Sequence, residues 1–226
     1  MSAGVAATHG AKSDGPLKVA VPRGALFGET LDALDGAGID TSALRGDSRS
    51  LIFPGEDVTL VTMRPSDVPT YVEAGAADVG ITGKDVLLEQ SDRIVYELLD
   101  LGFGRCRMVL AGRVGDTSLG ESQRRLGMIR IATKYPRIAE RYFESTGRQV
   151  EAVEVKGSVE LAPLTGLADG IVDLVATGRT MEENNLEVRE EIVVCTARFI
   201  ANRVAHKLRA SEVDDLTARL RKATGG

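Results

Sequence analysis

The sequence predicts an α/β protein of two lobes built on mostly parallel sheets, and three observations carry that prediction. Short apolar runs of strand character alternate with helix-like runs between residues 17 and 195, the order expected of βαβ units. The strand–turn–helix segment Ile171-Val-Asp-Leu-Val-Ala-Thr-Gly-Arg-Thr-Met181 has an ungapped echo in the first half of the chain, with 77–85 aligning on 172–180. In 226 residues, 43% hydrophobic content can bury one large core or two modest ones without help from disulfides or metals.

Taken in order, Leu17-Lys-Val-Ala-Val21 is the first strand, ended by Pro22-Arg-Gly24, and a helix over about 26–37 stops at Gly36 and Gly38. Asp57-Val-Thr-Leu-Val-Thr62 is the second strand, and residues 66–75 read as a short helix with Ser66 as cap and Pro69 in its first turn. Residues 78–82 form the third strand, followed by a helix. Met108-Val-Leu-Ala111 is a strand, and Gly112 to Gly127 reads as a polar connection. Met128-Ile-Arg-Ile-Ala-Thr133 then opens a new βα unit, whose helix runs from Pro136 to Gly147 and repeats Ile138, Ala139, Tyr142 and Phe143 on one face.

A strand at about 149–155, a helix over about 158–168 and the strand into the Thr177 turn complete the second lobe. Glu191-Ile-Val-Val-Cys195 is strongly strand-like, and Ser211-x-x-Asp214 has the form of a capping box for a last helix. Because this segment, the strand and the last helix together, follows the second lobe, it is expected to return and pack on the first. Residues 1–16 then form a flexible low-complexity tail, residues 17–107 plus 189–226 form lobe I, and residues 108–188 form lobe II. Two lobes joined by two crossings is the arrangement of a periplasmic-binding-protein-like (type II) clamshell.

Composition narrows the function classes. A net charge of −5 with scattered basic residues argues against a nucleic-acid surface. No apolar run approaches the roughly 20 residues of a membrane span, and the N-terminus lacks the pattern of a secretory signal, so a cytoplasmic location is expected. The only two histidines, His9 and His206, lie in the tail and in a late helical segment, which argues against a histidine triad or metal site. Cys106 and Cys195 are far apart in sequence and read as small buried side chains rather than as a disulfide or metal pair.

The turn after residue 175 carries the chemistry. The first amides of a helix lack intrahelical partners and attract anions. Gly178 allows close backbone approach, Thr177 and Thr180 add hydroxyl donors, and Arg179 adds a permanent charge, so four neighbouring residues favour one phosphate. A plain helix cap is the structural alternative, because Thr and Gly are ordinary residues at helix starts. In the echo, Asp78, Thr82, Gly83 and Lys84 stand where Asp173, Thr177, Gly178 and Arg179 stand, which points to two similar lobes whose strand ends face a shared cleft.

With these residues in view, 17–209 resembles the catalytic subunit of the ATP phosphoribosyltransferase family, the first enzyme of histidine biosynthesis. The resemblance rests on Val21-Pro-Arg-Gly24, Arg49-Ser-Leu-Ile-Phe53, Arg64 through Glu73, Gly80-Ile-Thr-Gly-Lys-Asp85, Arg130-Ile-Ala-Thr-Lys-Tyr-Pro136, Gly157-Ser-Val-Glu-Leu-Ala162, and Asp173 through Leu186. It implies attack of N1 of ATP on the anomeric carbon of phosphoribosyl pyrophosphate, with inversion and loss of pyrophosphate. It further implies that Ala176, Thr177, Gly178, Arg179 and Thr180 cradle the 5-phosphate while Glu160 and Asp173 accept bonds from the ribose hydroxyls. Arg23, Gly24, Arg49, Arg64, Lys84 and Lys134 would face polyphosphate, with Arg49 placed to stabilise the departing pyrophosphate. Mg2+ is implied as the substrate's chelate, held by substrate oxygens and not by a protein cluster. One departure stands out: Ala25 occupies a position that is basic in many members.

The length resembles the short form of the family, which lacks a C-terminal regulatory domain. A catalytic homodimer is implied, joined in a hetero-octamer by a regulatory subunit resembling histidyl-tRNA synthetase, with no nucleic acid and no membrane as partner. Three other readings stay open on residues alone: a non-catalytic nucleotide- or phosphate-binding clamshell, the effector domain of a transcription regulator, and a different phosphoribosyltransferase.

Overall fold

The computed structural model describes residues 15–46 and 49–225. The tail proposed for residues 1–16, with His9, therefore falls almost wholly outside the described residues. The chain divides into two compact units: unit 1 holds residues up to 82 with 92–103 and 197–226, and unit 2 holds 83–91 and 104–196.

Unit 1 contains β1 (Leu17–Pro22), α1 (Phe27–Gly36), α2 (Ser42–Arg45), β2 (Ile52–Phe53), β3 (Val58–Met63), α3 (Val68–Glu73), β4 (Val79–Gly83, its last residue counted with unit 2), β5 (Val95–Asp100), β11 (Ala197–Asn202), α9 (Arg203–Leu208) and α10 (Ala210–Thr224). Its sheet runs β2-β3-β1-β4-β11-β5. The centre is parallel, with β1 beside β3 and β4, and the edges are antiparallel, with β2 on β3 and β5 on β11. Val19, Val21, Ile81 and Phe199 pack in one core with Leu31 and Leu34 of α1 and Leu216 and Leu220 of α10. That apolar burial is the main force holding the unit together.

Unit 2 contains α4 (Lys84–Glu89), β6 (Cys106–Arg113), α5 (Ser118–Leu126), β7 (Met128–Thr133), α6 (Pro136–Ser145), β8 (Gln149–Glu154), α7 (Leu161–Thr165), β9 (Gly170–Val175), α8 (Arg179–Glu183) and β10 (Leu186–Cys195). The sheet order is β10-β6-β9-β7-β8, parallel from β9 through β7 to β8 and antiparallel from β10 through β6 to β9. Both faces are covered: Ile171 and Val175 face Ala162 and Met181, while Ile131 and Val172 face Ile138 and Phe143. Strands buried on both faces explain the near-continuous apolar runs of the sequence.

The structure departs from the sequence reading in several places. Residues 112–127 are not a bare connection, because β6 extends to Arg113 and α5 follows. That helix has no buried residue, so its sequence shows no apolar stripe to read. The strand around 191–195 does not return to the first lobe: β10 runs from Leu186 and pairs with β6 over its length, and the return strand is β11. The boundaries drawn at 107/108 and 188/189 thus differ from the units, in which 83–91, 104–107 and 189–196 belong to unit 2. Strand β5, on the unit 1 edge, has no counterpart in the sequence reading because its burial pattern is irregular.

Neither proposed serine cap forms. Residues 65–67 are a 3-10 turn entered from Arg64, and α10 starts at Ala210 after Arg209, both without a side-chain cap bond. Asn202 does cap α9: its side-chain oxygen accepts from the amides of Val204 and Ala205 at 2.8 and 2.9 Å. The helix placed at 158–168 is confined to α7, which Gly166 ends with a φ of 76°.

Candidate functional site

In unit 2 the parallel strands β7, β8 and β9 all end at one edge of the sheet, where ligands of such sheets bind. Each contributes a predicted residue there. Lys134 follows β7, Glu160 ends the loop after β8, and β9 carries Asp173 before releasing the turn 176–178 into α8. Gly178 takes a φ of 87°, a left-handed conformation that a Cβ would strain, so this position requires glycine. The amides of Met181 and Glu182 bond back to the Gly178 carbonyl, and the amides before them lie outside that helical ladder. Glu160, Ala176, Thr177, Gly178 and Thr180 line a cavity of about 230 Å³.

Arg179 does not line that cavity. Its side chain is exposed and lies 3.9 Å from Glu183 one turn on. Because α8 has only five residues, its dipole contributes little, and the donors this turn offers an anion are the hydroxyls, the turn amides and Arg179 itself.

Asp173 is buried, 7% exposed, and Lys134 Nζ lies 3.9 Å from its carboxylate. Burial pushes this carboxyl above the usual range and Glu160 pushes it further, whereas the Leu174 amide and Lys134 oppose the shift. Glu160 is thus near enough for its charge to act on Asp173. Thr133, at the end of β7, donates to the Val172 carbonyl at 2.7 Å and ties the Lys134 strand to the Asp173 strand.

The unit 1 candidates also gather at strand ends. Arg23 and Arg64 follow the parallel neighbours β1 and β3, with Pro22 opposite Met63. Arg23 donates to the Thr62 hydroxyl at 3.0 Å and to the Ser50 carbonyl at 3.3 Å, which holds the segment containing Arg49 beside it. Gly24 turns the chain with a φ of 85°, and Arg49, Arg64 and Ala25 are exposed.

Lys84, which lies within the 17–107 span expected to form lobe I with these arginines, instead starts α4 and packs with unit 2. The echo proves partly structural. Thr82 is fully buried inside β4 and donates to the Pro65 carbonyl at 2.8 Å, so it is no counterpart of the exposed Thr177. Asp78 pairs with Arg209 at 3.1 Å and accepts from the Lys18 amide, a structural role unlike that of Asp173. A Cβ at Gly83 would sit 2.1 Å from Asp85 Oδ1, so a larger residue there would have to displace that carboxylate.

Two residues near the site were not singled out as site residues by the sequence reading. Asp85, whose carboxyl burial pushes up, takes hydrogen bonds from its own amide, the Val86 amide and Tyr135. Burial and then the charges of Asp85 and Asp173 push the Tyr135 phenol upward, so it stays protonated as a donor. The Thr-Lys-Tyr-Pro and Gly-Lys-Asp motifs held that signal, but only the packing of α4 on α6 brings them together. The cysteines, distant in sequence, stand opposite each other on β10 and β6 and are free thiols. Among the described residues, no group of three or more His, Cys, Asp or Glu is arranged to hold a metal ion.

A family model for ATP phosphoribosyltransferase matches residues 64–222. The chain belongs to the ATP phosphoribosyltransferase family. It is thus a pentosyltransferase of the first step of histidine biosynthesis. Family members named ATP phosphoribosyltransferase include one from Rubrobacter xylanophilus, 53% identical over 203 residues that cover 89% of this chain and 94% of the relative. Another, from Sorangium cellulosum, is 46% identical and covers 93% and 97%.

Among solved structures, the chain is similar to one titled ATP phosphoribosyl transferase (HisG:HisZ) complex from Thermotoga maritima, at 37% identity and a TM-score of 0.78, covering 92% and 98%. The periplasmic aliphatic sulphonate binding protein SsuA from Escherichia coli shares the fold alone, at 11% identity and a TM-score of 0.59, over 94% of this chain and 73% of that one. The predicted periplasmic-binding-protein-like α/β class is therefore observed. No described helix is long and apolar enough to cross a membrane.

Proposed function

We propose that the chain performs the family reaction with phosphoribosyl pyrophosphate seated on unit 2, and the carrying observation is the convergence of the 176–180 turn with Glu160 and Asp173 at one sheet edge. The 5-phosphate takes donors from the turn amides, Thr177, Thr180 and Arg179. Asp173 and Glu160 accept bonds from the ribose hydroxyls. An ionised carboxylate offers only acceptors, which suits a diol.

N1 of ATP donates its electron pair to the anomeric carbon, and the bond to pyrophosphate breaks with its pair leaving on the pyrophosphate oxygen. The product is N1-(5-phosphoribosyl)-ATP. The two carboxylates also stabilise positive charge that develops on the sugar in the transition state. Arg23, Arg49 and Arg64 on unit 1, and Lys84 and Lys134 on unit 2, offer cationic groups to polyphosphate. Mg2+ fits as the ion of the substrate, bound by pyrophosphate oxygens and neutralising their charge.

The similarity to a Thermotoga HisG:HisZ complex supports a regulatory partner for this chain. Catalytic dimers, a hetero-octamer with that partner and a cytoplasmic location belong to the same proposal. The test is a Mg2+-dependent assay with ATP and phosphoribosyl pyrophosphate, with and without that partner, following the ultraviolet absorbance of the product. Binding of both substrates without product would favour a non-catalytic clamshell instead.

A further inference from the structure

The chain leaves unit 1 at Thr82, forms α4 within unit 2, and rejoins unit 1 at Asp92. Such a short excursion needs its own anchors, and Glu89 supplies the strongest. Its two carboxylate oxygens accept the amides of Arg137 and Ile138 at 3.1 Å each. Because α6 begins with Pro136, which has no N–H, these are the first two amides of that helix. A carboxylate there is stabilised by the helix dipole and by two charge-assisted bonds. Around it, Arg141 donates to the Leu88 carbonyl, Tyr135 bonds Asp85, and the Lys84 amide donates to the Thr196 carbonyl at 3.0 Å.

A clamp of this kind can serve stability alone. What sets it apart is what the two joined segments carry: Lys84 opens α4, and Lys134 lies two residues before α6, facing Asp173. We propose that Glu89 is a positioning residue of the transfer reaction, whose cap on α6 holds Lys84 in register with Lys134 and Asp173. This rests on the function proposed above. A bond between helices is needed for that register, because α4 is only six residues long and buries just Val86 fully.

Steady-state constants of the full chain, with the regulatory partner present, test the proposal through wild type, Glu89→Ala, Glu89→Gln, Lys84→Met and Lys84→Met/Glu89→Ala. Glu89→Ala is expected to lower kcat/KM for phosphoribosyl pyrophosphate about tenfold, and Glu89→Gln, which keeps an acceptor oxygen for one of the two amides, to recover part of it. In the Lys84→Met background the same alanine change is expected to cost less than about twofold, since residues acting as a unit are non-additive. An equal factor in both backgrounds, or no loss at all, would overturn the proposal.

Amide hydrogen exchange reads the clamp without activity. Residues 84–90 should exchange faster in Glu89→Ala while β7 and β9 stay protected, and unchanged exchange in 84–90 would also overturn it. A wild-type chain that binds both substrates yet makes no product would sink the function reading, and the exchange experiment would still test the clamp.

Discussion

Asp173 shows how a residue proposed for the site can work against the stability of its own fold. Burial raises its carboxyl pKa above the ordinary 3.8, so between the unfolded and folded values the native state holds more proton than the unfolded chain. Stability therefore falls as pH rises through that window, and the deficit persists at neutral pH. Asp173→Asn is expected to melt at or above the wild-type temperature at pH 7, because Asn keeps an acceptor for the Leu174 amide, which lies 2.8 Å from Oδ1. The same change should abolish most activity. A calorimetric scan showing clear destabilisation would contradict the first half.

Asp173→Ala and Thr177→Val should each lower kcat/KM by roughly 10- to 100-fold with the fold intact, the scale of a lost hydrogen bond of about 1.5–3 kcal/mol to a charged group. Near-normal turnover in both would remove this site from consideration. In the sequence, Asp173 and Glu160 were recognisable only through their motifs. The effect of Glu160 on Asp173 and the neighbouring Asp85–Tyr135 bond depend on side chains that the fold brings together across intervening strands and helices.

At the scale of elements, turns and caps decide which strands and helices form where. Gly178 and Gly83 occupy matching sequence positions for different reasons, one for a left-handed φ of 87° and the other for the space that Asp85 fills. Gly178→Ala should cost about 1–2 kcal/mol in backbone strain, and it should weaken phosphoribosyl pyrophosphate binding more than ATP binding. Equal losses for the two ligands in titration calorimetry would place the turn elsewhere in the mechanism.

Asn202 links three elements: it caps α9 while its amide nitrogen donates to the Val72 and Glu73 carbonyls of α3 at 2.7 and 3.0 Å. Asn202→Ala should destabilise unit 1 by about 2 kcal/mol, read as a lower urea midpoint, since it removes the cap of α9 and the side-chain bonds to the Val72 and Glu73 carbonyls. The strands β1, β3, β4, β7 and β9 were legible from their apolar runs. Helix α5 and edge strand β5 were not, because neither shows a clean buried face.

For the whole molecule, two interrupted units share one chain, and the assignment of segments to units follows from pairing rather than order. Ten-residue β10 stays in unit 2 because it finds a complete partner in β6, and the crossing falls after Thr196. Regulation belongs to this scale as well. The chain purified alone is expected to turn over slowly and to ignore histidine, with both properties changed by a regulatory subunit through a coupling free energy between distinct sites. Strong histidine inhibition of the isolated chain in the product assay would refute this.

By itself the sequence determined the α/β class, the order of the main strands and the Thr-Gly-Arg-Thr turn, since periodicity and turn chemistry are local and survive in a linear reading. It also determined the family, through ordered motifs that span most of the chain. The tertiary structure alone decided which residues meet. It drew α4 and Lys84 into unit 2, buried Thr82, paired Asp78 with Arg209 and set Glu89 on the start of α6, because such contacts are chosen by packing and hydrogen-bond partners distant in the chain.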